Sequence, residues 1–127
     1  MQKLMVAALL FLPLTPALAV DCDNASSQSE MNQCASEEYK KADDELNSVY
    51  KQTLKSTSGK QKTLLQQAQK KWISYRDADC HFQTFKSMGG SLWSMNVSGC
   101  LRDKTRQRTS ELKNMLNCPE GDVSCPL

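Results

Sequence analysis

The sequence is poor in the groups that most enzymes work with. It has one histidine, His81, in 127 residues, and its aromatic content is 6%. No Gly-x-Ser-x-Gly elbow, no zinc-binding His-Glu-x-x-His and no phosphate-cradling glycine loop occurs. Cysteine is present, but never as Cys-x-x-Cys, so no metal site is expected and no cofactor is implied. Charge of one sign is lacking too: 16 basic residues stand against 14 acidic ones. A chain so close to neutrality is not expected to take nucleic acid or an anionic membrane as its main partner. The apolar run Leu4–Leu12 is far short of the ~20 residues that span a bilayer as a helix. No alternating strand pattern and no internal repeat is visible.

That short apolar run has a different meaning. Lys3 ahead of it and Ala17-Leu18-Ala19 behind it complete the three parts of a secretory signal. Residues 1–19 therefore read as a signal peptide cleaved after Ala19, for a periplasmic or secreted protein. Asp21 beside Cys22 is unsuited to lipid attachment, so no membrane anchor is expected after cleavage. All six cysteines, Cys22, Cys34, Cys80, Cys100, Cys118 and Cys125, lie beyond the signal. An even number in a short exported chain reads as a disulfide framework.

Three helices follow from the apolar spacing. Ser27-Gln28-Ser29-Glu30 is a capping-box pattern. Behind it Met31, Ala35, Tyr39, Ala42, Leu46, Val49 and Thr53 form one stripe, with Gly59 as the stop. The second helix starts at Lys60, carries Leu65, Ala68, Trp72, Tyr75 and Asp79 inward, and runs to about Phe85 before Gly89-Gly90. Ser91 is expected to cap a third, whose stripe includes Trp93, Val97, Leu101, Thr105, Arg108 and Leu112. Short connections favour antiparallel neighbours. The expected fold is all-α: a disulfide-stapled antiparallel three-helix bundle over residues 20–117, followed by a cysteine-bracketed tail, 118–127. That register favours bridges Cys80–Cys100, Cys22–Cys34 and Cys118–Cys125; Cys34–Cys80 with Cys22–Cys100 is the alternative.

Several stretches, taken together and in order, carry a family resemblance. They are Glu30-Met31-Asn32-x-Cys34, Ala42-Asp43-x-x-Leu46-Asn47-x-x-Tyr50 and Gln69-x-x-Trp72-x-x-Tyr75-Arg76-Asp77-Ala78-x-Cys80. Gly89-Gly90-Ser91, Gly99-Cys100-Leu101 and Thr105-x-x-Arg108-Thr109-x-x-Leu112 extend the match. The chain resembles the LprI-type lysozyme inhibitors over roughly Cys22 to Leu116, outside which the Cys118/Cys125 tail falls. The resemblance implies a soluble periplasmic protein with inhibition of lysozyme as its leading function, and the missing catalytic motifs make an enzyme unexpected. A periplasmic immunity or adaptor protein with another protein partner is the alternative.

Two groups of residues are candidates for a role. Asp43, Asn47 and Tyr50 on the first helix and Trp72, Tyr75, Arg76 and Asp77 on the second form a polar-aromatic set. Residues on an apolar stripe ordinarily face the partner helix, so an interhelical network with Arg76 held by Asp43 is expected. A recognition surface is the second reading, since aromatics and arginine are frequent binding anchors. The other group is the turn Lys86-Ser87-Met88-Gly89-Gly90-Ser91. Lysozyme cleaves with two carboxylates in a cleft, and a blocker can offer that site a cation on a rigid loop. Lys86 supplies the cation, and Gly89 and Gly90 allow close backbone approach. The tail is a poorer candidate because Glu120 and Asp122 would repel such carboxylates. His81 reads as a packing or surface residue.

Overall fold

The computed structural model describes residues 20–127, so the predicted signal at 1–19 and its cleavage site lie outside the described residues. Three helices make the fold: α1 (Gln28–Lys55), α2 (Gly59–Gln83) and α3 (Trp93–Leu116). Among the described residues there is no strand. The chain runs up, down and up, so α1 and α3 lie parallel with α2 antiparallel to both. Bridges Cys22–Cys34, Cys80–Cys100 and Cys118–Cys125 staple the N-terminal arm, the α2–α3 hairpin and the tail.

α1 begins as its sequence requires. The Ser27 hydroxyl accepts from the Glu30 amide at 3.1 Å, and the Glu30 carboxylate turns back to accept from the Ser26 amide at 3.2 Å. The first bond answers one of the amides that a helix start leaves unbonded, and the second ties the residue before the N-cap to the first turn. The reversal into α2 is made by Gly59, which opens that helix at φ +55°, a left-handed conformation that costs glycine little. The start of α3 differs from expectation. Leu92, not Ser91, is its N-cap residue and supplies no side-chain cap. The Ser91 carbonyl instead accepts from the Asn32 side chain of α1 at 3.1 Å.

α1 and α3 pack closely along their lengths, whereas α2 approaches α3 less and α1 least. Small and β-branched side chains make the close seam: Ala35, Ala42, Thr53, Thr105 and Thr109 are buried there beside Leu46, Val49 and Leu112. The threonines bury hydroxyls without leaving them unpaired. Thr53 donates to the Val49 carbonyl at 2.8 Å and Thr109 to the Thr105 carbonyl at 3.0 Å, each one turn back. Tyr50, Leu65, Trp72, Met115 and Leu116 pack partly buried around Leu46, Val49 and Leu112.

The inward face of α2 is only partly the stripe read from its spacing: Leu65 and Trp72 pack against the core as expected. Gln69, Arg76 and Cys80 are its buried residues, with Leu65, Trp72 and Asp79 half-buried, while Ala68 and Tyr75 are exposed. The helix is turned by ~60° from that stripe, in the direction that carries Gln69 inside together with Arg76, which was expected to face Asp43. Partners waiting on α1 and α3 make that rotation favourable.

Candidate functional site

Two sites were expected, and they lie at different places in the bundle. The polar-aromatic set surrounds Arg76, whose side chain is only 8% exposed. Its guanidinium reaches Asp77 at 2.9 Å, Asp43 at 3.5 Å and the Thr105 hydroxyl at 3.4 Å. The same group stacks over Trp72 and Tyr39, 5.3 and 5.6 Å from the ring centroids. Arg108 from α3 also lies over Trp72, at 5.9 Å, and donates to the Gln69 side-chain oxygen at 3.1 Å. One arginine thus links all three helices through hydrogen bonds, an ion pair and cation–π contacts. Burial pushes the Tyr39 phenol above its ordinary value, and the neighbouring Arg76 charge pulls the other way.

The other expected members stand around this centre. Tyr50 packs at the edge of the apolar cluster. Tyr75 is 58% exposed, and Lys104 covers its ring at 5.1 Å. Lys104 in turn bonds Asp79 at 2.6 Å, a contact that holds the Asp79 carboxyl below its usual range and raises the Lys104 ammonium. Asn47 lies outside the network, exposed on the far flank of α1. Each step of four residues drifts about 40° around a helix, which carries position 47 past the flank that Asp43 occupies. Tyr39, Gln69, Lys104 and Arg108 were not among the candidate site residues, although Tyr39 and Arg108 lie on the inward stripes of their helices. The helical spacing of Tyr39 and Gln69 to Asp43 and Trp72 was the available signal.

The second site is the α2–α3 connection. After α2 the chain makes one short 3-10 turn, Phe85–Ser87, and then reverses at Gly89, where φ is +80°. Backbone amides of Ser87, Met88 and Gly90 each bond a carbonyl three residues back, at 3.0–3.1 Å. The Asn96 side chain donates to the Ser87 hydroxyl at 3.1 Å, and Asn32 holds Ser91 from α1. Below the turn, the buried Thr84 hydroxyl bonds the Cys80 carbonyl at 2.7 Å, and Cys80 is bridged to Cys100. His81 stacks on Trp93 with centroids 6.4 Å apart, a packing role. Lys86 projects exposed from this frame and makes no ion pair among the described residues. A Cβ on Gly90 would come within 3.3 Å of the Ser87 carbonyl, so the tight turn also needs that residue small.

The family described as lysozyme inhibitor LprI matches residues 22–112, which span the arm bridge, the Arg76 centre and the turn. The chain belongs to the LprI family. This LprI domain is also 39% identical over 114 residues to the uncharacterized protein R02472 of Rhizobium meliloti (strain 1021). That alignment covers 80% of the present chain and 82% of the relative. No solved structure matches it. The matched region stops short of the tail, where Gln61 donates to the Pro126 carbonyl and ties the chain end to α2. Pro126 and Leu127 help to wall an apolar depression of about 350 Å³ with Leu64, Leu65, Ala68 and Met115.

Among the described residues no group of histidine, cysteine or acidic side chains is arranged to hold a metal ion, and no helix is long and apolar enough to cross a membrane. The small cleft of about 170 Å³ beside Trp72 and Tyr75 is lined by Lys104, Gln107 and Glu111. Its charged groups are already matched: Glu111 pairs with Arg108 at 3.1 Å, and Lys104 with Asp79. The Arg76 centre therefore joins helices, whereas the turn presents unpaired groups to the outside.

Proposed function

We propose that this LprI domain is an exported, non-catalytic binding protein that blocks a lysozyme or a related wall-cleaving glycosidase. The family match over residues 22–112 carries this reading. The geometry supports it at the α2–α3 turn. No carboxylate occurs in the sequence between Asp79 and Asp103, although the whole chain has 14 acidic residues. A rigid feature without negative charge, tipped by Lys86, suits a cleft that works with two carboxylates. Its rigidity matters because a loop that must be ordered on binding gives up affinity. Export is supported by the stapled framework, which belongs to an oxidising compartment. The Cys22 sulfur is taken up by Cys34, in keeping with a mature chain without a lipid there.

The test is clearance of cell-wall suspensions by chicken-type, goose-type and invertebrate-type lysozymes with the oxidised residues 20–127 in excess. Inhibition of at least one type is expected, and reduction of the bridges should relieve it. Full activity of all three types would reject the reading. Binding that leaves lysozyme activity intact would put the immunity or adaptor role in its place.

A further inference from the structure

The turn carries more apolar surface than a connector needs. Phe82 is 79% exposed, Phe85 69%, Met88 51% and Leu92 48%. These are half of the large hydrophobic side chains that the described residues leave in solvent, and all fall within one short segment. Soluble proteins expose such side chains mostly one at a time, and a concentration of them marks an interaction surface. The core does not need them, since the buried cluster consists of Leu46, Val49 and Leu112 at the other part of the bundle. Their backbone is fixed by the turn's own hydrogen bonds, by Asn32 and by the Cys80–Cys100 bridge.

We infer that Phe82, Phe85, Met88 and Leu92 are the anchor by which the domain holds its partner, with Lys86 in a secondary, orienting role. The inference rests on the inhibitor reading and names the partner's chemistry: a protein cleft with apolar walls around its carboxylates. Charge selects this occupant. From Cys80 to Leu101 there is no acid and only one lysine, Lys86. A single cation suits a pocket that holds one or two carboxylates. An anionic lipid surface is ordinarily met by a cluster of four to eight basic residues. Buried aromatic groups are the usual carriers of binding energy at protein interfaces, while a rim charge mainly tunes approach.

The experiment uses the oxidised domain as wild type, as the Phe82→Ser/Phe85→Ser double variant and as Lys86→Met. Each is titrated calorimetrically against the three lysozyme types. Each is also checked for sedimentation with phosphatidylglycerol vesicles and for self-association by analytical ultracentrifugation. Thermal unfolding of the variants should match wild type, because the replaced side chains are exposed. The expected result is a loss of at least ~30-fold in lysozyme affinity for the double variant, and of about fivefold or less for Lys86→Met. Wild-type affinity should change little with added salt, since exposed charge attraction is what salt screens. Unchanged binding and inhibition by the double variant would overturn the anchor and leave the inhibitor reading standing. Absence of lysozyme binding by wild type would overturn both. Vesicle binding or dimer formation that the double variant abolishes, without lysozyme binding, would reassign the surface to lipid or to a second copy of the chain.

Discussion

Leu112 and Arg76 are both buried, yet they hold the bundle together by different physics. Leu112 sits at the α1–α3 seam, where alanines, threonines and a few large aliphatic side chains let two helices approach closely. Its contribution is removal of apolar surface from water and close packing, neither of which depends on a particular bond angle. Arg76 holds α2 against that pair by a planar guanidinium set over two rings and hydrogen-bonded at its edges. Such an arrangement depends on geometry and loses much if one member is missing. The close seam therefore resembles an ordinary core, while α2 is attached by a polar and aromatic layer and by the Cys80–Cys100 bridge. The exposed turn grows from the helix attached in this second way.

The largest effect should come from the close seam. Leu112 is 0% exposed, so Leu112→Ala is expected to cost about 3–5 kcal/mol of stability, through lost transfer energy and the cavity left behind. Urea denaturation followed by helical circular dichroism measures it. A loss under ~1 kcal/mol would mean that the α1–α3 seam is not the principal core.

The polar layer comes next. Arg76→Ala should cost about 3 kcal/mol in the same assay. Asp43→Ala should cost only ~1 kcal/mol, because Asp43 is partly exposed and Asp77 still neutralises the arginine. Arg76→Lys is expected to stay close to Arg76→Ala, since an ammonium can neither stack between Tyr39 and Trp72 nor present a fork of donors. Restoration of stability by lysine would show that charge alone attaches α2, and the contrast between the two seams would weaken.

The smallest effect is a pH dependence at the edge of α2. The Asp79–Lys104 bond lowers the carboxyl below its unfolded value of about 3.9. A lowered folded value means that the stabilisation is present above that unfolded value and fades as pH falls through the lower folded one. Asp79→Asn should thus be less stable than wild type at neutral pH, and the gap should close in strong acid. A gap that stays constant down to pH 2 would remove the ion pair from the account of how α2 is held.

The first and third helices were largely legible as sequence, because apolar side chains at steps of three and four point to one face and that face is indeed buried. On α1 the stripe Ala35, Ala42, Leu46, Val49 and Thr53 is the buried one. The second helix was read differently, for a physical reason. Arg76 was expected to face Asp43, but Gln69, which hydropathy places in solvent, was not expected inside; it is buried where Arg108 meets it, as Thr105, Asp43 and Tyr39 meet Arg76. The apolar residues at its C-terminal end were obscured in the opposite sense. Phe82, Phe85 and Met88 recur at steps of three and look like core, but Phe82 stays exposed on the last turn of α2, and at Phe85 and Met88 the chain has already left the α-helix.

By itself the sequence determined three helical periods, an even set of cysteines beyond an export-like start, and turns where glycine permits reversal. These are local properties, set by side-chain spacing and by the conformations open to a residue and its neighbours. The helix register already favoured the cysteine pairing that the structure has, whereas tertiary structure alone decided how far α2 is rotated about its axis and which hydrophobic groups remain outside. Periodicity measures angles within one helix and says nothing of the angle between two. That second angle is set by the partners each side chain finds, and here a buried arginine and its rings chose it.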